Sequence, residues 1–187
     1  MVKYCCRLSV LFATASLASC GIPASPLASS PVPAGHAPFT PAGTSSNRLL
    51  AAQNAERAVV RVAPLAWDQA LASGASAYAR QLASTGTFRH SDRRSRAGAG
   101  ENLWMGTAGA FSAEQMVRDW ASEKRWFVAG TFPNVSRTGR WSDVGHYTQL
   151  VWSTTTRVGC GVARGNGRDV LVCRYAPAGN IDGRRVL

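Results

Sequence analysis

At 187 residues, with 45% hydrophobic residues and six Trp, the chain is long and apolar enough for one cored domain with appendages, and disorder throughout is excluded. Its 21 Lys plus Arg outnumber 10 Asp plus Glu, for a formal net charge of +11. Such a chain attracts anionic lipid, wall polymers or nucleic acid, but nearly all the cations are Arg, as a GC-rich coding sequence also produces, and no basic helix with interleaved aromatics marks a nucleic-acid partner.

The chain opens "MVKYCCRLSVLFATASLASCGI", where Lys3 and Arg7 flank a short apolar run from Leu8 to Ala18. This is the pattern of a signal peptide, expected over residues 1–19 and too short to span a bilayer. It ends in "LASC", which resembles the bacterial lipobox, so Cys20 is expected to be lipidated and to anchor the protein to a membrane. Gly21 lacks the Asp that retains such proteins at an inner membrane, which makes the expectation an exported envelope lipoprotein on the outer membrane or facing the periplasm. Residues 20–46, rich in Pro, Ala, Ser and Gly, read as a tether, and His36 within them as a solvated linker residue.

A folded domain is expected over 47–187. "NRLLAAQNAERAVVRVAPLAW" places Leu50, Ala55, Ala58, Val59 and Val62 near helical spacing before Pro64. Asp68 caps a second helix, "QALASGASAYARQLAS", with an apolar stripe of Leu71, Ala75, Tyr78 and Leu82. "TGTFRHSDRRSRAGAGENLW", which carries His90 and Glu101, reads as loop. Ser112 and Gln115 form a capping box opening "SAEQMVRDWASEKRWF" as a third helix. There Met116, Trp120, Glu123 and Phe127 share one face, so a carboxylate turns inward among large hydrophobes and needs partners.

"HYTQLVW", "VGCGVAR" and "DVLVCRY" read as strands. If Asn166-Gly167 is a two-residue type I′ turn, counting outward from Gly165 and Arg168 sets Cys160 opposite Cys173 as a non-hydrogen-bonded pair, where a disulfide fits. Cys5 and Cys6 leave with the signal and Cys20 carries lipid, so these two are the remaining pair. Helices first and antiparallel strands later give an α+β fold with helices packed on a mainly antiparallel sheet.

"GENLW", "WASEKRWF", "GHYTQLVWSTTTRVGCG" and "VLVCRYAPAGNIDG" resemble the four signature regions of the CAP superfamily, the cysteine-rich secretory, antigen 5 and pathogenesis-related proteins. The resemblance extends from about Asn47 to the C-terminus and implies an α-β-α sandwich. It implies further that His90, Glu101, Glu123 and His146 line one cleft, with the two histidines holding zinc or another divalent cation. Neutral imidazoles suit such a metal, and glutamates can orient their other ring nitrogen. Some relatives bind sterols or fatty acids, the sterols through the loop before His146, which here contains Trp126, Phe127, Phe132 and Trp141. Where relatives carry His-Asn this chain has Gln53-Asn54, outside the four-residue set.

Three functions compete. The favoured one is a binding module for a lipid, a sterol or a wall component. The runner-up is a hydrolase acting on peptide or wall material, with Glu101 or Glu123 as the catalytic acid or base; Ser91 beside His90 does not make a nucleophile pair, and the GxSxG elbow is absent. The third is a surface protein acting through basic loops such as "RHSDRRSR".

Overall fold

A computed structural model describes residues 43–187. The signal, lipidation and tether expectations, with Cys20 and His36, lie outside the described residues. Helix α1 (Gly43–Val59) leads through the short strand β1 (Ala66–Trp67) to α2 (Gln69–Thr85). Strand β2 (Gly100–Thr107), helix α3 (Ala113–Ala121) with a 3-10 turn at Ser122–Arg125, α4 (Gly145–Val151), and the hairpin β3 (Arg157–Gly165) and β4 (Arg168–Ala176) complete the order.

The sheet runs β1-β3-β4-β2, with β1 parallel to β3 and the other pairs antiparallel. It is the middle of three layers, because successive β4 residues face opposite helices. Leu171, Cys173 and Tyr175 enter the core shared with Leu49, Met116, Trp120 and Leu150, while Val170 and Val172 pack with Ala75, Ala79 and Leu82 of α2. The expected α-β-α sandwich is therefore the observed one. Small residues let α2 lie close on β3: a β-carbon at Gly159 would run into the backbone of Asp68 and Ala72.

The hairpin follows its turn chemistry. Asn166 and Gly167 both have positive φ, at 51° and 71°, as a type I′ turn requires. Cys160 pairs with Cys173 and the two are disulfide-bonded, with Cα atoms 4.1 Å apart. Asp68 caps α2 and the Ser112/Gln115 box caps α3, both as expected.

Three local expectations are corrected. "HYTQLVW" is not a strand but helix α4: in so short a buried run, periodicity does not separate the two, and Tyr147, Leu150 and Val151 meet the helical spacing equally well. "GENLW" is not loop but strand β2, hydrogen-bonded along β4 and buried on both faces from Gly100 to Trp104, which erases the alternation that marks a half-buried strand. Helix α1 begins at Gly43 rather than Asn47 and turns a polar face inward. Gln53 and Arg57 are fully buried while Val59 is 72% exposed.

Arg57 explains that rotation. Its guanidinium donates to the carbonyls of Ala63, Leu150, Trp152 and Thr155, tying α1 to the end of α4 and the turn before β3. Burial pulls its pKa below the usual guanidinium value, yet the group remains charged, its cost offset by carbonyl dipoles.

Candidate functional site

His90 stands on the segment between α2 and β2, and Glu101 is the second residue of β2. The Glu101 side chain has no exposure, against 54% for His90. Its Oε1 accepts from His90 Nδ1 at 2.9 Å, from the Ser91 backbone N–H at 3.0 Å and from an Arg96 guanidinium nitrogen at 2.9 Å. Its Oε2 accepts from the Ser91 hydroxyl at 2.7 Å, with Arg174 Nε at 3.5 Å. Burial alone would push this carboxyl up, but the donations from His90 and Ser91 and the Arg96 charge outweigh it and hold the pKa near about 2.

A second pair mirrors the first. Glu123 lies in the 3-10 turn that prolongs α3, on the face shared with Met116 and Trp120. Its Oε1 accepts from His146 Nδ1 at 2.6 Å. Its Oε2 accepts from the backbone N–H of His146 at 2.9 Å and of Tyr147 at 3.1 Å, closing the start of α4. Trp120 lies nearly parallel to the imidazole, with ring centroids 6.2 Å apart. The inward carboxylate thus finds its partner on an element 23 residues downstream.

Both imidazoles line one open cleft of about 950 Å³, together with Glu101, Arg93, Arg96 and Trp141. Each Nδ1 faces a carboxylate, so Nδ1 carries the proton and the Nε2 lone pair of a neutral ring is left for the cleft. The oxygens of Glu101 and Glu123 are already occupied, so the four-residue set divides into two available ligands and two orienting groups. Among the described residues no three His, Cys, Asp or Glu side chains are grouped to hold a metal. The donors that the cleft does offer a cation are the two imidazole Nε2 atoms, a type that suits a divalent metal whose remaining positions water fills.

The aromatic loop divides as well. Phe132, 3% exposed, packs edge-on against Trp152 and Trp141, and both it and the 48% exposed Trp141 line the cleft. Trp126 lies beneath the Arg125 guanidinium and Phe127 packs on Tyr147; neither is in the cleft lining. Ser91 directs its hydroxyl to Glu101 and is not in the cleft lining.

Sequence reasoning missed the supports. Asn102 donates to the His146 carbonyl and lies 3.4 Å from the Tyr175 hydroxyl, which donates to Gln53, so a buried polar chain runs from the cleft to α1. Gln149 occupies the space that a β-carbon at Gly100 would need, and accepts from Gly179 N–H. The buried Gln53, standing where relatives have His, was the one available signal.

A family model described as "CAP: Cysteine-rich secretory protein family" matches residues 50–175. Pathogenesis-related protein PRMS of Zea mays is 39% identical over 139 residues, 73% of this chain and 78% of that protein. Pathogenesis-related protein 1C of Nicotiana tabacum is 38% identical over 144 residues, 76% of this chain and 81% of that protein. Among solved structures, one titled "Crystal structure of NaASP2 with Zn2+" superposes with a TM-score of 0.67 at 27% identity, covering 77% of this chain and 85% of that one. Venom allergen-like protein 4 of Schistosoma mansoni shares the fold, with a TM-score of 0.57 at 21% identity over 73% of this chain and 90% of its own.

Proposed function

The chain belongs to the cysteine-rich secretory protein (CAP) family, and on that premise we propose that it is an extracytoplasmic binding module whose His90/His146 cleft holds a divalent cation, zinc foremost, beside a small ligand. One observation carries this reading: two imidazoles line one cleft, each oriented through Nδ1 by its own carboxylate. Such carboxylate–histidine pairs set the tautomer and ring angle that a metal needs. The relative solved with Zn2+ supports the choice of metal. A bound cation would supply a fixed positive charge in the cleft; His90 and His146 would hold it, and Glu101 and Glu123 would keep both rings aimed.

The ligand side of the reading rests on Phe132 and Trp141, which give the cleft an apolar wall for a lipid, a sterol or a wall component. Export through the signal peptide and anchorage at Cys20 belong to the same reading. It is supported by the Cys160–Cys173 disulfide of the described domain, a bond that persists outside the cytosol. The hydrolase reading is weaker on a specific ground: a Glu101 held near about 2 and saturated with donors is a poor general base at neutral pH.

Calorimetric titration of zinc into the wild-type protein, His90→Ala and His146→Ala tests the proposal. Wild type should bind, and each variant should lose most of the affinity, because one imidazole alone is a weak site. A wild type that takes up no divalent cation near neutral pH removes the metal from the reading.

A further inference from the structure

The wall of the cleft formed by residues 93–101 presents two arginines, Arg93 and Arg96, beside the buried Glu101. Two guanidiniums, Arg96 and Arg174, share the single Glu101 carboxylate, and the side chain of each is only 10% exposed. The Nε atoms of both are buried without a hydrogen-bond partner. Of the two, Arg174 lies over the Tyr78 ring, 5.9 Å from its centroid, and is not in the cleft lining, which leaves Arg96, with its unpartnered Nε, as the buried cation on the cleft side. Arg96 lines the cleft, and so does the exposed Arg93, which makes no ion pair among the described residues. The cleft's other carboxylate, Asp182, belongs to the segment after β4.

The aromatic part of the lining has a different character. Trp141 presents a 48% exposed indole, steadied edge-on by Phe132 at 5.3 Å, with Ser142 also in the lining. An acyl chain gains most from complete enclosure. An open shelf of indole suits a ring that is apolar on one face and hydroxylated at its edges.

We infer that the cleft takes an acidic saccharide, with its carboxylate seated on Arg93 and Arg96 and a sugar ring laid on Trp141. The inference rests on the binding-module reading above and names its ligand class. Arg is the side chain suited to this task, because its planar fork meets a carboxylate with two parallel hydrogen bonds.

The test titrates two disaccharides into the full chain, with zinc and again in EDTA. N-acetylglucosaminyl-N-acetylmuramic acid carries a lactyl carboxylate; chitobiose lacks it. The acidic sugar should bind at least about tenfold more tightly, as expected for a charge-assisted contact. Arg93→Ala should erase most of that difference, and Arg96→Lys, which keeps a cation beside Glu101 for folding, should reduce it. Trp141→Ala should weaken both sugars alike. Equal affinities for the two sugars overturn the inference. So does binding to neither while zinc titrates normally, an outcome that leaves the metal reading standing; binding only to phosphatidylglycerol vesicles overturns it in favour of lipid. Sugar binding with no zinc uptake supports the inference and removes the metal instead.

Discussion

The Glu123 carboxylate holds His146 at two points, accepting from Nδ1 through Oε1 at 2.6 Å and from the backbone N–H through Oε2 at 2.9 Å. One side chain therefore sets the ring's orientation and closes the first turn of α4. Glu123→Gln keeps the shape but loses the charge. We expect about a 10- to 100-fold loss of zinc affinity from the weakened support, less than from His146→Ala. A stability loss of about 1 kcal/mol should accompany it, the size expected for a weakened helix start. Calorimetry and denaturant unfolding read the two effects separately, and an unchanged zinc affinity would show that Glu123 matters only to the helix.

Glu101 predicts an acid limb of stability. Its folded pKa, near about 2, lies below the ordinary value of 4.5, so its contribution is fully present above pH 4.5 and is lost as pH falls toward 2. The linked change is about 3 kcal/mol. Unfolding free energies measured across that window should fall more steeply for wild type than for Glu101→Gln. The variant itself should be less stable at neutral pH by about 3 kcal/mol, because Arg96 and Arg174 lose their counter-charge.

Arg57 is a structural cation whose guanidinium donates to backbone carbonyls, and its four carbonyl acceptors come from three different segments. Arg57→Met should cost about 3 kcal/mol or more, since several buried carbonyls are left without donors. Urea unfolding with an unchanged slope and a lower midpoint is the expected result. A loss below 1 kcal/mol would mean that water replaces the guanidinium.

The Cys160–Cys173 bond closes a loop with a sequence separation of 13. Replacing both cysteines with Ala should cost about 3 kcal/mol in the chain-entropy model. Zinc affinity should be little changed, because neither cysteine touches His90 or His146. Non-reducing peptide mapping should recover the joined pair from exported protein; free thiols at both positions would contradict the export proposal.

The anchor proposal has its own test. Cys20→Ser should shift the protein out of the membrane fraction or leave the signal uncleaved, whereas fractionation like wild type would rule out lipidation at that residue.

Short-range chemistry was readable from the residues alone. Asn166-Gly167 specifies a turn, a two-residue turn specifies register, and register places Cys160 opposite Cys173. The inward position of Glu123 followed from helical spacing, and the resemblance named His90, Glu101, Glu123 and His146 together, although Glu123 supports His146 without entering the cleft lining itself. What spacing does not contain is the identity of long-range partners. "HYTQLVW" became a helix because a carboxylate from the end of α3 caps the N–H groups of His146 and Tyr147, and nothing local reveals that. "GENLW" became a strand because β4 offers it a ladder on one edge and helices cover both faces. The division of labour within the cleft was also a tertiary outcome. Spacing alone leaves two histidines and two glutamates equivalent, although the resemblance implied that the histidines would hold a metal and the glutamates orient them. Only packing decides which oxygens are consumed by buried donors and which nitrogens are left facing the cleft, because a buried carboxylate must satisfy its hydrogen bonds before it can serve a ligand.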